Sequence, residues 1–322
     1  MPRVSVADIK PGDQVTSTFL VKTKSLGETR DGKPYLTLTL ADNSGVTMAR
    51  VWEDSMATCQ PFQQGDLVTV KARADVYQGK AQLIIFQLNR CEEAEVDLAD
   101  YLPVSDREPK EMLKELKELV AQVRNPDLLK LLESFFSDEQ IVAGLLKAPA
   151  AKGRHHVHLG GLLEHTLSVA KLTIVVAEHY PQVDQDLLLA GAILHDIGKV
   201  RELTYRGEYT DEGRLLGHIL MGIEMVESKL RELEGFPVEL ALLVKHMLLS
   251  HHGQYQFQSP VLPQILEALV LHHIENMDAQ IDQAETLIAA ARKEGRTWTE
   301  FDKLMGRFFY LAKPRPEEAN ED

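Results

Sequence analysis

The chain has little cysteine, few aromatic residues and no long apolar run among its 322 residues. Cys59 and Cys91 are its only cysteines and lie far apart, which excludes a disulfide framework and a CxxC zinc site. The longest apolar stretch, Leu187 to Leu194, falls well short of the roughly 20 residues that span a bilayer, so no membrane partner is expected. The opening residues, MPRVSVADIKPGDQV, carry no apolar segment of a secretory signal, and the cytoplasm is the expected compartment. Neither an internal repeat nor a low-complexity tract is present. What remains, 44% hydrophobic and 26% charged residues, is the composition of folded protein, at a length that suits about two domains.

A net charge of −14 argues at first against a nucleic-acid partner, but the charge is unevenly spread. Residues 1–90 carry 11 Lys and Arg against 9 Asp and Glu, whereas the remainder carries 24 against 40. The front can therefore approach a phosphate backbone, while the acidic rear suits either solvated helices or divalent cations.

Those first 90 residues read as five short strands: Val15–Lys24, Tyr35–Leu40, Thr47–Trp52, Asp66–Ala74 and Ala81–Leu88. Turn residues separate several of them, as at Asp42-Asn43-Ser44-Gly45 and Gln78-Gly79. Tyr35 to Leu40 alternates with period two, giving one buried and one wet face. Five strands without a strong helix suit a small barrel of the OB type, with an SH3-like barrel as the alternative. Residues 91–108 turn acidic and aperiodic, as a linker would. From 109 to 313 the apolar spacing is helical, over 126–147, 161–180, 185–196, 212–234, 237–250 and 263–293 among others. Residues 314–322 are charged and read as a disordered tail. The expected fold class is thus multidomain, a small all-β barrel followed by an all-α bundle.

All twelve histidines fall between His155 and His273. His165 sits in GGLLEHT, His195-Asp196 in HDIGK, His218 follows Gly217, His251-His252 stand in SHHG, and Asp278 follows Asn276-Met277. Imidazoles and carboxylates are ligands for Mn, Fe, Ni, Co or Zn, and single residues from several helices can converge on one site. Neighbours on a helix point about 100° apart, so His195-Asp196 and His251-His252 can share a metal cluster only near a helix end. His246 is an alternative to His251; His272 and His273 read as supporting or packing residues, and His179 as surface. Lys199, four residues after His195, lies on the same helical face and can offset phosphoryl charge, or is a solvated helix-end lysine. Arg154, His155 and His156 are candidates to grip a substrate's phosphate or sugar.

This pattern resembles the HD-domain phosphohydrolase superfamily, whose H…HD…D signature is met by His165, His195-Asp196 and Asp278. The resemblance implies one ion held by His165, His195, Asp196 and Asp278. It also implies a second held by His218, His251 and His252, with Asp196 bridging the pair and acting with Lys199 in catalysis. Two such cations stabilise both attacking and leaving oxygens at phosphorus.

In the barrel, Tyr35, Trp52, Tyr77 and Phe86 can stack bases or serve as core, and Lys22, Lys24, Lys33, Arg50 and Lys80 can follow phosphates. Tyr35 and Trp52 are the preferred platform. A barrel of this kind, with its segment GKPYLTLTLADNSG, followed by HHVHLGGLLEHTLSVA, AGAILHDIGK and LLSHHG, resembles the YhaM-type 3′-to-5′ exoribonucleases. That likeness implies single-stranded RNA, or also DNA, as substrate, manganese as the first-choice cation with Fe, Ni, Co, Zn or Mg as alternatives, and allows a homo-oligomer. Two other readings stay open. One is an HD phosphodiesterase for a cyclic dinucleotide or free nucleotide, although Gly253-Gln254-Tyr255 stands where the cyclic-di-GMP class has GYP. The other is a non-catalytic nucleic-acid-binding protein.

Overall fold

In the computed structural model the described residues are 3–77, 80–92, 95–102, 104–105, 107–151 and 158–312. The Gln78-Gly79 turn and the 314–322 tail lie outside them. The chain forms two compact units, Met1–Val104 and Ser105–Asp322.

The first unit contains β1 (Gln14–Glu28), β2 (Pro34–Asp42), β3 (Gly45–Trp52), the short α1 (Glu53–Met56), β4 (Leu67–Tyr77) and β5 (Lys80–Arg90). They close into a barrel in the order β1-β2-β3-β5-β4. Strand β1 is long because it serves two neighbours, β2 with Leu20–Glu28 and β4 with Gln14–Leu20. A register shift between Val21 and Thr23 marks where it bends. The parallel pairing of β3 with β5 completes the closure. This five-stranded barrel is the expected OB type. Its core holds Phe19, Val21, Leu38, Leu40, Val51, Val70, Leu83 and Ile85, so the alternation from Tyr35 to Leu40 turns its leucines inward.

Part of the segment expected as a linker is tied to the barrel. The Cys91 amide donates to the Leu67 carbonyl at 2.9 Å, and the Asn43 amide to the Asp100 carbonyl at 2.9 Å. Tyr101 and Leu102 are buried there, with the Arg3 guanidinium 4.8 Å from the Tyr101 ring centre.

The second unit runs α2 (Pro109–Val120), α3 (Pro126–Phe136), α4 (Glu139–Leu145), α5 (Gly161–His179), α6 (Gln185–Leu194), α7 (Lys199–Glu202), α8 (Asp211–Glu232), α9 (Val238–Ser250) and α10 (Leu266–Lys293). The helical stretch expected over 126–147 is two helices, because the Asp138 side chain accepts from the Gln140 and Ile141 amides and starts α4 afresh. Helix α6 is buried from Leu187 to Leu194 on every side, which a helix apolar all round requires. It is the central rod of the bundle, and it ends at His195. No helix among the described residues is long and apolar enough to cross a membrane.

Candidate metal centre and nucleic-acid surface

His195-Asp196 and His251-His252 both sit where a helix stops. His195 caps the C-terminus of α6 and His251 that of α9, so Asp196 and His252 each stand just beyond the last helical residue. This end position lets adjacent side chains converge, as the spacing argument required.

Five imidazoles are held in one sense. The Nδ1 atoms of His195, His251 and His252 face the carbonyls of Ala192, Leu248 and Phe257, each at 2.8 Å. His218 Nδ1 faces Glu202 Oε1 at 3.1 Å, and His165 Nδ1 faces Asp278 Oδ2 at 2.7 Å. Because a carbonyl or carboxylate oxygen only accepts, each Nδ1 carries the proton and each Nε2 presents a lone pair. Those lone pairs converge. His165 Nε2 and His195 Nε2 stand 3.3 Å apart, an arrangement two acceptors tolerate only with a cation or a proton between them.

Asp196 lies at the meeting point. Its Oδ2 is 3.4 Å from His195 Nε2 and 3.8 Å from His165 Nε2, while its Oδ1 is 3.5 Å from His218 Nε2 and 3.6 Å from His251 Nε2. Two groups able to hold an ion result, His165-His195-Asp196 and His218-His251-His252. Among the described residues Asp196 Oδ1, His218 Nε2 and His251 Nε2 are buried without a hydrogen-bond partner. Three orphaned acceptors around one point are costly unless a cation satisfies them, so the donor set fits divalent metal.

The electrostatics agree. Burial opposes charge on Asp196, but Lys199 and His195 outweigh it and hold the carboxyl well below its ordinary range. Burial, aided by neighbouring imidazoles, pushes His251 well down and His252 to about 4. Burial also lowers His165, against the pull of Asp278. His195 moves up, because Asp196 overrides its burial. Most of the cluster is therefore neutral and ligand-ready near pH 7.

Two expected residues occupy different places from the rest. Asp278 does not join either group; its Oδ2 takes the outer nitrogen of His165 and its Oδ1 accepts from the Ser168 hydroxyl. Lys199 is buried, with Nζ 2.6 Å from Asp196 Oδ2. His246 stands outside the cluster and accepts from the Gln264 amide at 2.9 Å. Arg154, His155 and His156 lie outside the described residues.

Sequence reasoning overlooked Glu202 and Glu275. Glu202 Oε1 accepts from both the amide and Nδ1 of His218, at 2.9 and 3.1 Å. That amide is available because Gly217 takes a positive φ of 74° and breaks α8 there, a conformation only glycine adopts without strain. Gly198 lets α7 approach α8 so closely that a Cβ would lie 2.0 Å from the His218 carbonyl oxygen. Glu275, on α10, faces a cleft of about 1080 Å³ that is also lined by Lys199, His218 and His252. Burial raises its pKa to about 7.

On the barrel, Tyr35 and Trp52 are cross-strand partners on β2 and β3, with ring centres 5.4 Å apart. Arg50 stands 5.3 Å from the Tyr35 ring and 5.5 Å from that of Trp52. All three are half-buried on the outside of the barrel rather than in its core. Phe86 is also outward, 47% exposed. The side chains of Tyr77 and Lys80 are outside the description.

Residues 162–280 match the HD domain family. Solved structures similar to this chain include the second OB-fold domain of replication protein A from Methanococcus maripaludis, at 15% identity over 29% of this chain and 97% of that one, TM-score 0.25. An OB domain from Methanosarcina mazei matches at 17% identity over 29% and 87%, TM-score 0.24. A murine DNA-binding protein bound to double-stranded DNA matches at 24% identity over 26% and 42%, TM-score 0.20. The first unit is thus a closed five-stranded barrel of the OB type, and the converging His/Asp groups of the second unit all lie within the stretch that matches the HD domain family.

Proposed function

We propose that this protein is a metal-dependent 3′-to-5′ exoribonuclease of the YhaM type, acting on single-stranded RNA. The observation that carries the hydrolase half is Asp196, one oxygen turned to each imidazole group. In this reading His165, His195 and Asp196 hold one ion and His218, His251 and His252 a second, with manganese the first candidate. Ions bound there would supply Lewis-acid polarisation of the phosphoryl oxygens and acidify a water near neutral pH. Asp278 and Glu202 fix the tautomer and aim of His165 and His218. Lys199, between Asp196 and the cleft, offsets charge building on the phosphoryl oxygens. The half-exposed Tyr35–Trp52 pair with Arg50 supports strand binding by the barrel through stacking and a phosphate contact.

The test is purified protein with a 5′-labelled single-stranded RNA and Mn²⁺. A descending ladder is the expected result. A single internal cut, or no cleavage of RNA alongside hydrolysis of a cyclic dinucleotide, would overturn the exonuclease assignment.

A further inference from the structure

Beyond α10 the chain folds back as a small hairpin with a surface unlike the rest of its unit. The Thr299 amide donates to the Phe309 carbonyl and the Leu311 amide to the Thr297 carbonyl, and isolated bridges join Trp298 to Tyr310 and Asp302 to Arg307. A Gln283–Asp302 hydrogen bond of 3.2 Å and the Arg296 amide, donated to the Ala291 carbonyl at 2.9 Å, tie it to α10, and Thr299 and Leu311 are buried. Trp298 and Tyr310 pair at 5.0 Å between ring centres, and Phe301 and Phe308 at 5.1 Å. All four rings remain about half exposed, between 49% and 58%. Paired rings left open on a surface mark a binding site more often than chance.

Charge and position say what binds. Residues 296–311 hold three Lys and Arg against two Asp and Glu, whereas the preceding residues 263–291 hold no Lys or Arg against five Asp and Glu. Lys303 and Arg307 make no ion pair among the described residues. Leu304, Met305 and Arg307 line the same cleft as Lys199, His218 and His252. Half-exposed aromatic rings and cations without an ion pair, on a segment that also lines the cleft of the His/Asp groups, are the elements of a stacking platform for unpaired nucleobases. We propose that the 296–311 hairpin is a second single-strand-binding surface, which stacks bases of the substrate next to the metal site. Only the choice of ligand rests on the nuclease reading.

The chain's two tryptophans, Trp52 and Trp298, allow each surface to be read alone. In full-length Trp52→Phe, with metal chelated so that nothing is cut, a short single-stranded oligoribonucleotide should quench the remaining Trp298 emission saturably. A duplex of the same sequence should not. Phe308→Ala in that background should weaken the binding about tenfold, the scale of one lost stacking contact. Trp298 emission indifferent to saturating oligonucleotide would overturn the proposal. So would quenching that depends on protein concentration alone, which would make the hairpin a contact between copies. Quenching without hydrolysis under any metal would leave this surface standing and remove the exonuclease reading instead.

Discussion

One carboxylate oxygen of Glu202 receives both the amide and the imidazole Nδ1 of His218. The bond to the amide closes the start of the half-helix that Gly217 opens, and the bond to Nδ1 turns the His218 lone pair toward Asp196. Partners of this kind are worth about 10–100-fold in metal affinity. Glu202→Ala should therefore weaken Mn²⁺ binding on that scale, with activity recovering as the metal concentration is raised. Glu202→Gln, which keeps one acceptor, should lose less. Calorimetric titration with Mn²⁺ checks both, and equal losses would mean that the charge rather than the orientation matters.

Asp196 faces both groups, so Asp196→Ala should abolish hydrolysis while leaving the circular dichroism of the helical unit largely intact. The remaining imidazoles should still hold one ion weakly. A variant that keeps near-normal turnover with metal bound would remove Asp196 from its bridging role.

Lys199 touches Asp196 Oδ2 at 2.6 Å and reaches the cleft. If it offsets phosphoryl charge, Lys199→Ala should lower kcat by about 10²–10³-fold, the scale of one lost preorganised donor. Metal occupancy should hold or rise, since a competitor for Oδ2 is gone. A parallel loss of metal would show that Lys199 instead keeps Asp196 in position.

The histidines give the metal-free protein a defined response to acid. His252 falls from an ordinary value near 6.5 to about 4, and His165 and His251 are also lowered, by burial. A lowered pKa means the unfolded chain binds the proton more tightly. The stability these groups contribute is complete above about pH 6.5 and is lost as pH falls toward 4. His246 and His272 are lowered by burial as well, whereas His195, raised by Asp196, and Glu275, raised by burial to about 7, contribute in the opposite sense, two groups against five. With chelator present, Tm should drop between pH 7 and pH 5. His252→Asn should flatten that slope, and an unchanged slope would show that other groups set it.

Much of this site is legible in the sequence because its donors are chemically rare. Twelve histidines confined to residues 155–273, with His195-Asp196 and His251-His252 each following an apolar helix, already point to one centre. Glu202 and Ser168 carry no such signal: glutamate and serine are ordinary on helices, and only the kink at Gly217 and the packing of α5 on α10 give them partners. Asp278 shows the same limit, since spacing brings it to the centre but not to a particular nitrogen. In the barrel the period-two run from Tyr35 fixed its faces, yet nothing local indicated that Tyr101 and Leu102 would bury themselves against the strands. The first compact unit accordingly extends past the last strand to Val104.

The barrel's part in substrate binding separates a nuclease from a small-molecule phosphodiesterase. Tyr35 and Trp52 share one outer face with Arg50 between them, so their removal should cost binding without disturbing the core. Tyr35→Ala and Trp52→Ala should each weaken single-stranded RNA binding by about 1–3 kcal/mol, and Arg50→Ala should reduce its salt dependence by about one phosphate contact. These losses should appear in KM for long RNA, while a small chromogenic phosphodiester, which needs only the HD site, is still hydrolysed. Filter binding across a salt series and steady-state kinetics on both substrates make the comparison. If all three variants degrade long RNA as the parent does, the barrel does not hold the strand, and its role shifts to assembly or to partner binding.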